Sequence, residues 1–155
     1  MARPPRRNDG SRPVHVIANA VAGDVLFPDG DACAMFWDAV GASAVAHGVR
    51  IGQLCLMSTH YHLLAQADAD ALAAALKQAH GKLAWYRNHG DRRRGTLFAR
   101  RYGVIPIADP RHLANVVRYI PRNPVNAGVV RSSRGASDGG FPRLTHLSTV
   151  RRNGR

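Results

Sequence analysis

The sequence predicts an α+β fold of the ferredoxin-like kind: an antiparallel sheet of about four strands with helices packed on one face. Three observations predict it. Apolar residues switch between a period of two and a period of about 3.6, in the order β-α-β-β-α-β-α. The two central strand segments, Val49 to Met57 and His60 to Gln66, are separated only by Ser58-Thr59, which reads as a tight turn between antiparallel neighbours. The chain has 155 residues, 45% of them hydrophobic, and no internal repeat, which suits one domain with its own core.

Each element follows from local chemistry. Residues 1–13 are rich in Arg, Pro, Asn, Asp and Gly and predict a flexible basic arm. From Val14 to Ala22, Val14, Val16 and Ala18 alternate against His15, Ile17 and Asn19, as in a strand. Phe27-Pro28-Asp29-Gly30 is a turn, and Asp31 is the expected cap of a helix reaching about Ala46. Met35, Phe36, Ala39, Val40 and Ala44 give that helix its apolar face, and Gly48 ends it. Asp68 and Asp70 favour the start of the next helix. Leu72, Leu76, Ala79, Leu83 and Tyr86 form its buried stripe, with Lys77, Lys82 and Arg87 on other faces. Trp85 and Tyr86 are expected in the core or an interface rather than as stacking platforms for bases. A basic loop, His89 to Arg94, leads to a fourth strand at Val104 to Ile107, where Pro106 argues for a sheet edge. Asp109-Pro110 starts the last helix, carrying Leu113, Val116, Val117 and Ile120 up to Pro121. The domain is expected to span 14–130, leaving 131–155 as a disordered basic tail.

The charge is the unusual part of the composition. Twenty-two Lys and Arg stand against 10 Asp and Glu, a net charge of +12. A small domain this basic points to nucleic acid. Some of the arginines lie in the terminal stretches, but Arg87, Arg92, Arg93, Arg94, Arg100, Arg101, Arg111, Arg118 and Arg122 fall inside the body. No long amphipathic basic helix argues for a membrane surface, and no apolar run is long enough to span one. The N-terminus has no apolar segment of the signal-peptide kind, and Cys33 and Cys55 read as buried free thiols. A cytoplasmic, nucleoid-associated protein is expected.

The candidate chemistry begins with His60-Tyr61-His62. In a strand the two imidazoles point to one side and Tyr61 to the other. Two parallel imidazoles can hold one divalent cation, though on spacing alone such a pair is more often structural or incidental. Downstream, Tyr119 and Asn123 are four residues apart, which on a helix places a hydroxyl nucleophile and a carboxamide on one face. A core-edge tyrosine and a helix-stop turn at Asn123-Pro124 are the alternative from spacing alone.

These segments resemble a family. Leu56-Met57-Ser58-Thr59-His60-Tyr61-His62-Leu63-Leu64 resembles the HUH region of single-tyrosine transposases, most of all the REP-associated tyrosine transposase branch. Trp85-Tyr86-Arg87-Asn88, the stretch from Gly95 to Tyr102, and the stretch from Tyr119 to Gly128 match in the same order and at similar spacing, so the resemblance covers about Pro13 to Val130. It implies a ferredoxin-like HUH endonuclease fold, with His60, His62 and Asn123 binding Mg²⁺ or Mn²⁺. It also implies that Tyr119 cleaves single-stranded DNA bearing hairpins through a 5′-phosphotyrosine intermediate and later rejoins it. Lys82, Arg100, Arg101 and Arg118 are the candidates for contacts to the DNA backbone. A monomer or homodimer is expected. Three departures stand out. Pro121 lies where the family often has His and predicts a kink between Tyr119 and Asn123. Thr59 stands where Asn commonly precedes the first His, and residues 132–138 lack the aromatics usual there. The alternative is therefore a catalytically decayed or domesticated basic domain that binds hairpin DNA or RNA without cutting. A small hydrolase built on His146-Leu147-Ser148 is a weaker third, since no matching second half is evident.

Overall fold

In the computed structural model the backbone is described for residues 8–126 and side chains up to Tyr119. Four strands, β1 (Val14–Asn19), β2 (Arg50–Met57), β3 (His60–Gln66) and β4 (Gly103–Pro106), form one sheet. Their order is β2-β3-β1-β4, and every neighbouring pair is antiparallel. This is the ferredoxin-like sheet expected from the element order. Three helices accompany it: α1 (Gly30–His47), α2 (Ala69–Gly90) and α3 (Pro110–Asn126).

Local signals set the boundaries. Asp29, not Asp31, caps α1: its backbone is extended and its Oδ1 accepts from the Ala32 N–H at 2.8 Å. Asp31 sits inside the first turn, where a carboxylate still favours the positive end of the helix. Gly48 ends α1 in the left-handed conformation (φ 68°), which a residue with a Cβ adopts at a penalty. Asp68 caps α2 by accepting from the Asp70 and Ala71 N–H groups. The β2–β3 turn at Ser58-Thr59 is clamped by the preceding loop: Ser58 O accepts from Leu26 and Phe27 N–H, and Thr59 O from Ala20 N–H. Pro106 is the last residue of β4, which lies at the sheet edge as predicted.

The pleat divides the core into two layers. Val14, Val16, Ala18, Leu54, Leu56, Tyr61, Leu63 and Ala65 face α1 and α2, meeting Phe36, Val40, Leu72, Leu76 and Leu83. On the opposite face Cys55, Met57 and Leu64 pack with Ile107 and with Leu113, Val116 and Val117 of α3. The helices of the α1–α2 pair thus share one face, as expected, while α3 covers the other, because its apolar residues match the second apolar patch of β2 and β3. Leu63 and Leu64 are neighbours in sequence, yet both are fully buried in different layers, each contributing about 1.5–3 kcal/mol.

One expectation for α2 is corrected. Its buried stripe ends on Arg87, only 6% exposed, rather than on Tyr86, because the guanidinium finds partners in Asp91 Oδ2 and Val25 O. Trp85 is 63% exposed and stacks on His89 one turn later. Cys33 and Cys55 are free and buried as predicted. Within the stretch expected as an arm, Asn8 Nδ2 donates to Ala67 O and Arg12 to Ala108 O. Residues 1–7 and the tail expected over 131–155 lie outside the described residues. Among the described residues no helix is long and apolar enough to cross a membrane.

Beneath β3, Tyr61 is fully buried and its hydroxyl pairs with His80 Nε2 of α2 at 2.7 Å. His80 also stacks on Phe98, ring centroids 4.0 Å apart. Burial pushes the His80 pKa down to about 4, from an ordinary value near 6.5. Between those values the unfolded chain binds a proton that the folded protein refuses, so stability is full above about 6.5 and falls as pH drops toward 4. The contribution is up to about 3 kcal/mol, at roughly 1.4 kcal/mol per pKa unit. His80→Gln, which keeps a polar partner for Tyr61, is expected to flatten the slope of denaturation free energy between pH 6.5 and 4. Identical slopes in the two proteins would show that His80 is not held neutral.

Candidate active site

The face of the sheet shared with α3 carries a line of polar side chains. In the β1–β3 ladder His15 opposes Leu64, Ile17 opposes His62 and Asn19 opposes His60. In the β2–β3 ladder Cys55 opposes His62 and Met57 opposes His60. Opposed residues in an antiparallel pair share a face, so His15, His60 and His62 project on the same side. The His60 and His62 ring centroids lie 5.1 Å apart with their planes nearly perpendicular.

Helix α3 brings Tyr119 to this cluster. Val116 is buried against the sheet, and Tyr119 follows three residues later, on the same side of the helix. Its ring centroid lies 5.8 Å from that of His62 and 6.5 Å from that of His15, edge-on to both. Tyr119 is 48% exposed, so a ligand in solution can reach it. The apolar packing of Leu113, Val116 and Val117 therefore converts a sequence separation of 57 residues between His62 and Tyr119 into ring contact.

The three imidazoles share a lowered basicity. Burial lowers the pKa of His15 and of His60, and lowers that of His62 to about 4, with the neighbouring His15 and His60 adding to the shift. All three are neutral at pH 7, the form that binds metal. The Nδ1 atoms of both expected ligands are engaged: His60 Nδ1 with Thr59 Oγ1 at 3.2 Å, and His62 Nδ1 with His15 Nε2 at 3.0 Å. That leaves the Nε2 atom of each for a cation. Thr59, the departure from the family pattern, thus has a partner in the first histidine.

His15 is the member that reading the sequence did not single out. The alternation of β1 set it apart from Val14 and Val16, but only the β1–β3 register brings it beside His62. Among the described residues no group of three or more His, Cys, Asp or Glu is arranged to hold a metal ion. Asn123 lies within α3, which continues past Pro121 to Asn126, but its side chain is outside those described. Arg118 is exposed beside Tyr119. Arg100 and Arg101 are exposed and line a groove of about 350 Å³ with Ile17, Asn19 and Ile105, across β1 from the histidines. Lys82 is not brought together with them: it lies on α2, in a groove with Lys77 and Trp85 on the other side of the sheet. His146 is outside the described residues.

No protein-family model and no curated protein matches the chain. Solved structures do. A REP-associated tyrosine transposase bound to a REP hairpin superposes with a TM-score of 0.67 at 16% identity, over 84% of this chain and 77% of that one. A candidate transposase from Deinococcus radiodurans R1 superposes with a TM-score of 0.52 at 19% identity, over 70% of this chain and 87% of that one. Among the described residues the chain shares the α+β fold of these transposase structures, a four-stranded antiparallel sheet with three helices.

Proposed function

We propose that the protein is a transposase-like DNA strand transferase of the HUH single-tyrosine type, acting on single-stranded DNA with hairpin structure. The observation that carries this reading is the meeting of Tyr119 with His62, whose ring lies beside that of His60 on the same face of the sheet. A protein that only bound nucleic acid would need the +12 charge but not a tyrosine held against neutral imidazoles. Two further facts support it: the four sequence segments that resemble the REP-associated branch, and a shared fold with a protein seen on a REP hairpin.

The residues fit a divalent cation such as Mg²⁺ or Mn²⁺ held by the Nε2 atoms of His60 and His62, because both Nδ1 atoms are occupied and both rings are neutral. The resemblance adds Asn123 as a third ligand. Bound there, the cation would serve as a Lewis acid for the scissile phosphate. Tyr119 would attack the phosphorus through its phenolic oxygen. The bond from Oη to phosphorus forms as the bond from phosphorus to the 3′ oxygen breaks. The phenolic proton is released and the 3′ oxygen takes one up, leaving a 5′-phosphotyrosine and a free 3′-hydroxyl. The reverse reaction with another 3′-hydroxyl rejoins strands without ATP. Arg118 precedes the attacking residue in α3, and Arg100 and Arg101 line a groove along β1; all three are exposed and are our candidates for neutralising backbone phosphates.

Two outcomes are expected. With hairpin-bearing single-stranded DNA and Mn²⁺, the protein should form a covalent adduct visible on a denaturing gel. Tyr119→Phe should abolish that adduct while leaving DNA affinity within a few-fold; an adduct that survives the change places the nucleophile elsewhere. His15→Phe should weaken Mn²⁺ binding in calorimetry by about tenfold, as loss of a ligand's hydrogen-bond partner generally does. Unchanged affinity would remove His15 from the site.

A further inference from the structure

Pro121 lies inside α3, 11 residues after Pro110. A proline has no N–H, so the carbonyl four residues earlier loses its helical donor. That carbonyl belongs to Val117, and it has a substitute: Gln53 Nε2 of β2 donates to Val117 O at 3.2 Å. A carbonyl oxygen only accepts, so the amide must present its nitrogen here. The orientation leaves Gln53 Oε1 buried with no hydrogen-bond partner among the described residues. Gln53 is also the point where the β2–β3 register shifts after Ile51, an irregularity of the kind that re-aims side chains. The bond joins the sheet to α3 two residues before Tyr119.

We propose that Gln53 is a positioning residue for Tyr119: it supplies the hydrogen bond that Pro121 withholds from Val117 and so fixes the tyrosine ring edge-on to His62. A proline in a helix interior leaves the turn ahead of it without one of its bonds, and such sites are where helices bend. Val116 and Val117 hold α3 to the sheet through apolar contact, which is non-directional. The Gln53 bond is directional and sets the rotation and tilt of the turn that carries Tyr119. The inference deepens the proposed function and rests on it only where Tyr119 is taken as the nucleophile.

The test is a cycle with Pro121→Ala, which restores an N–H for Val117 O. The first readout is the nuclear Overhauser contact between the Tyr119 and His62 rings, in metal-free protein without DNA. It should be present in the natural protein, lost or strongly weakened in Gln53→Leu, and regained in Gln53→Leu/Pro121→Ala. Gln53→Glu keeps the shape of the side chain but offers no donor when ionised, and should behave as Gln53→Leu does. The second readout is the rate of covalent adduct formation with Mn²⁺ and hairpin DNA, expected to fall about tenfold in Gln53→Leu and to recover in the double variant. An intact ring contact in both single Gln53 variants, or no recovery on adding Pro121→Ala, overturns the proposal. Absence of any adduct in the natural protein would defeat the strand-transfer reading, and the ring contact would still decide the role of Gln53.

Discussion

In β3 the pleat sends Tyr61, Leu63 and Ala65 into the layer under α1 and α2, and His60, His62 and Leu64 into the layer under α3. The strand is second in from the sheet edge, paired with β2 on one side and β1 on the other. Its register cannot slip by one residue without moving the imidazoles into an apolar core and Tyr61 out of it. Tyr61 is also tied by its hydroxyl to His80. The direction of His60 and His62 is therefore set by the burial of their neighbours, and the candidate pair is held in place by packing outside the site.

The second layer is smaller and does a different task. Five buried residues and two half-buried ones join α3 to the sheet. They bring a helix from the far end of the described chain over the histidines, at the point where Tyr119 can meet them. His15 closes the arrangement from β1, so three strand-borne histidines and one helix-borne tyrosine share the space. The phosphate-binding candidates are distributed unevenly, with Arg100 and Arg101 in a groove along β1 and Lys82 across the sheet.

Much of this was legible in the sequence, and the exceptions have physical causes. The period-two runs and the helical stripes gave the element order, and His60, His62 and Tyr119 stood out by spacing and by resemblance. The side of the sheet taken by α3 was not legible, because a strand buried on both faces, such as Leu63-Leu64, shows no polar alternation. His15 was hidden because pairing between β1 and β3 is a long-range fact. Arg87 was misplaced because its burial depends on the carbonyl of Val25 and on Asp91, which no helical period reveals. Pro121 was read as a kink; the partner that β2 offers to the orphaned carbonyl came only with the fold.

The central claim is that the two imidazoles present their Nε2 atoms to a common point beside Tyr119. Anomalous diffraction from crystals of the Tyr119→Phe protein grown with Mn²⁺ and hairpin DNA tests it most directly. The account predicts one manganese bonded to Nε2 of both His60 and His62, with the scissile phosphate between it and the residue 119 ring. Manganese bound through Nδ1, or bound away from these histidines, would contradict it.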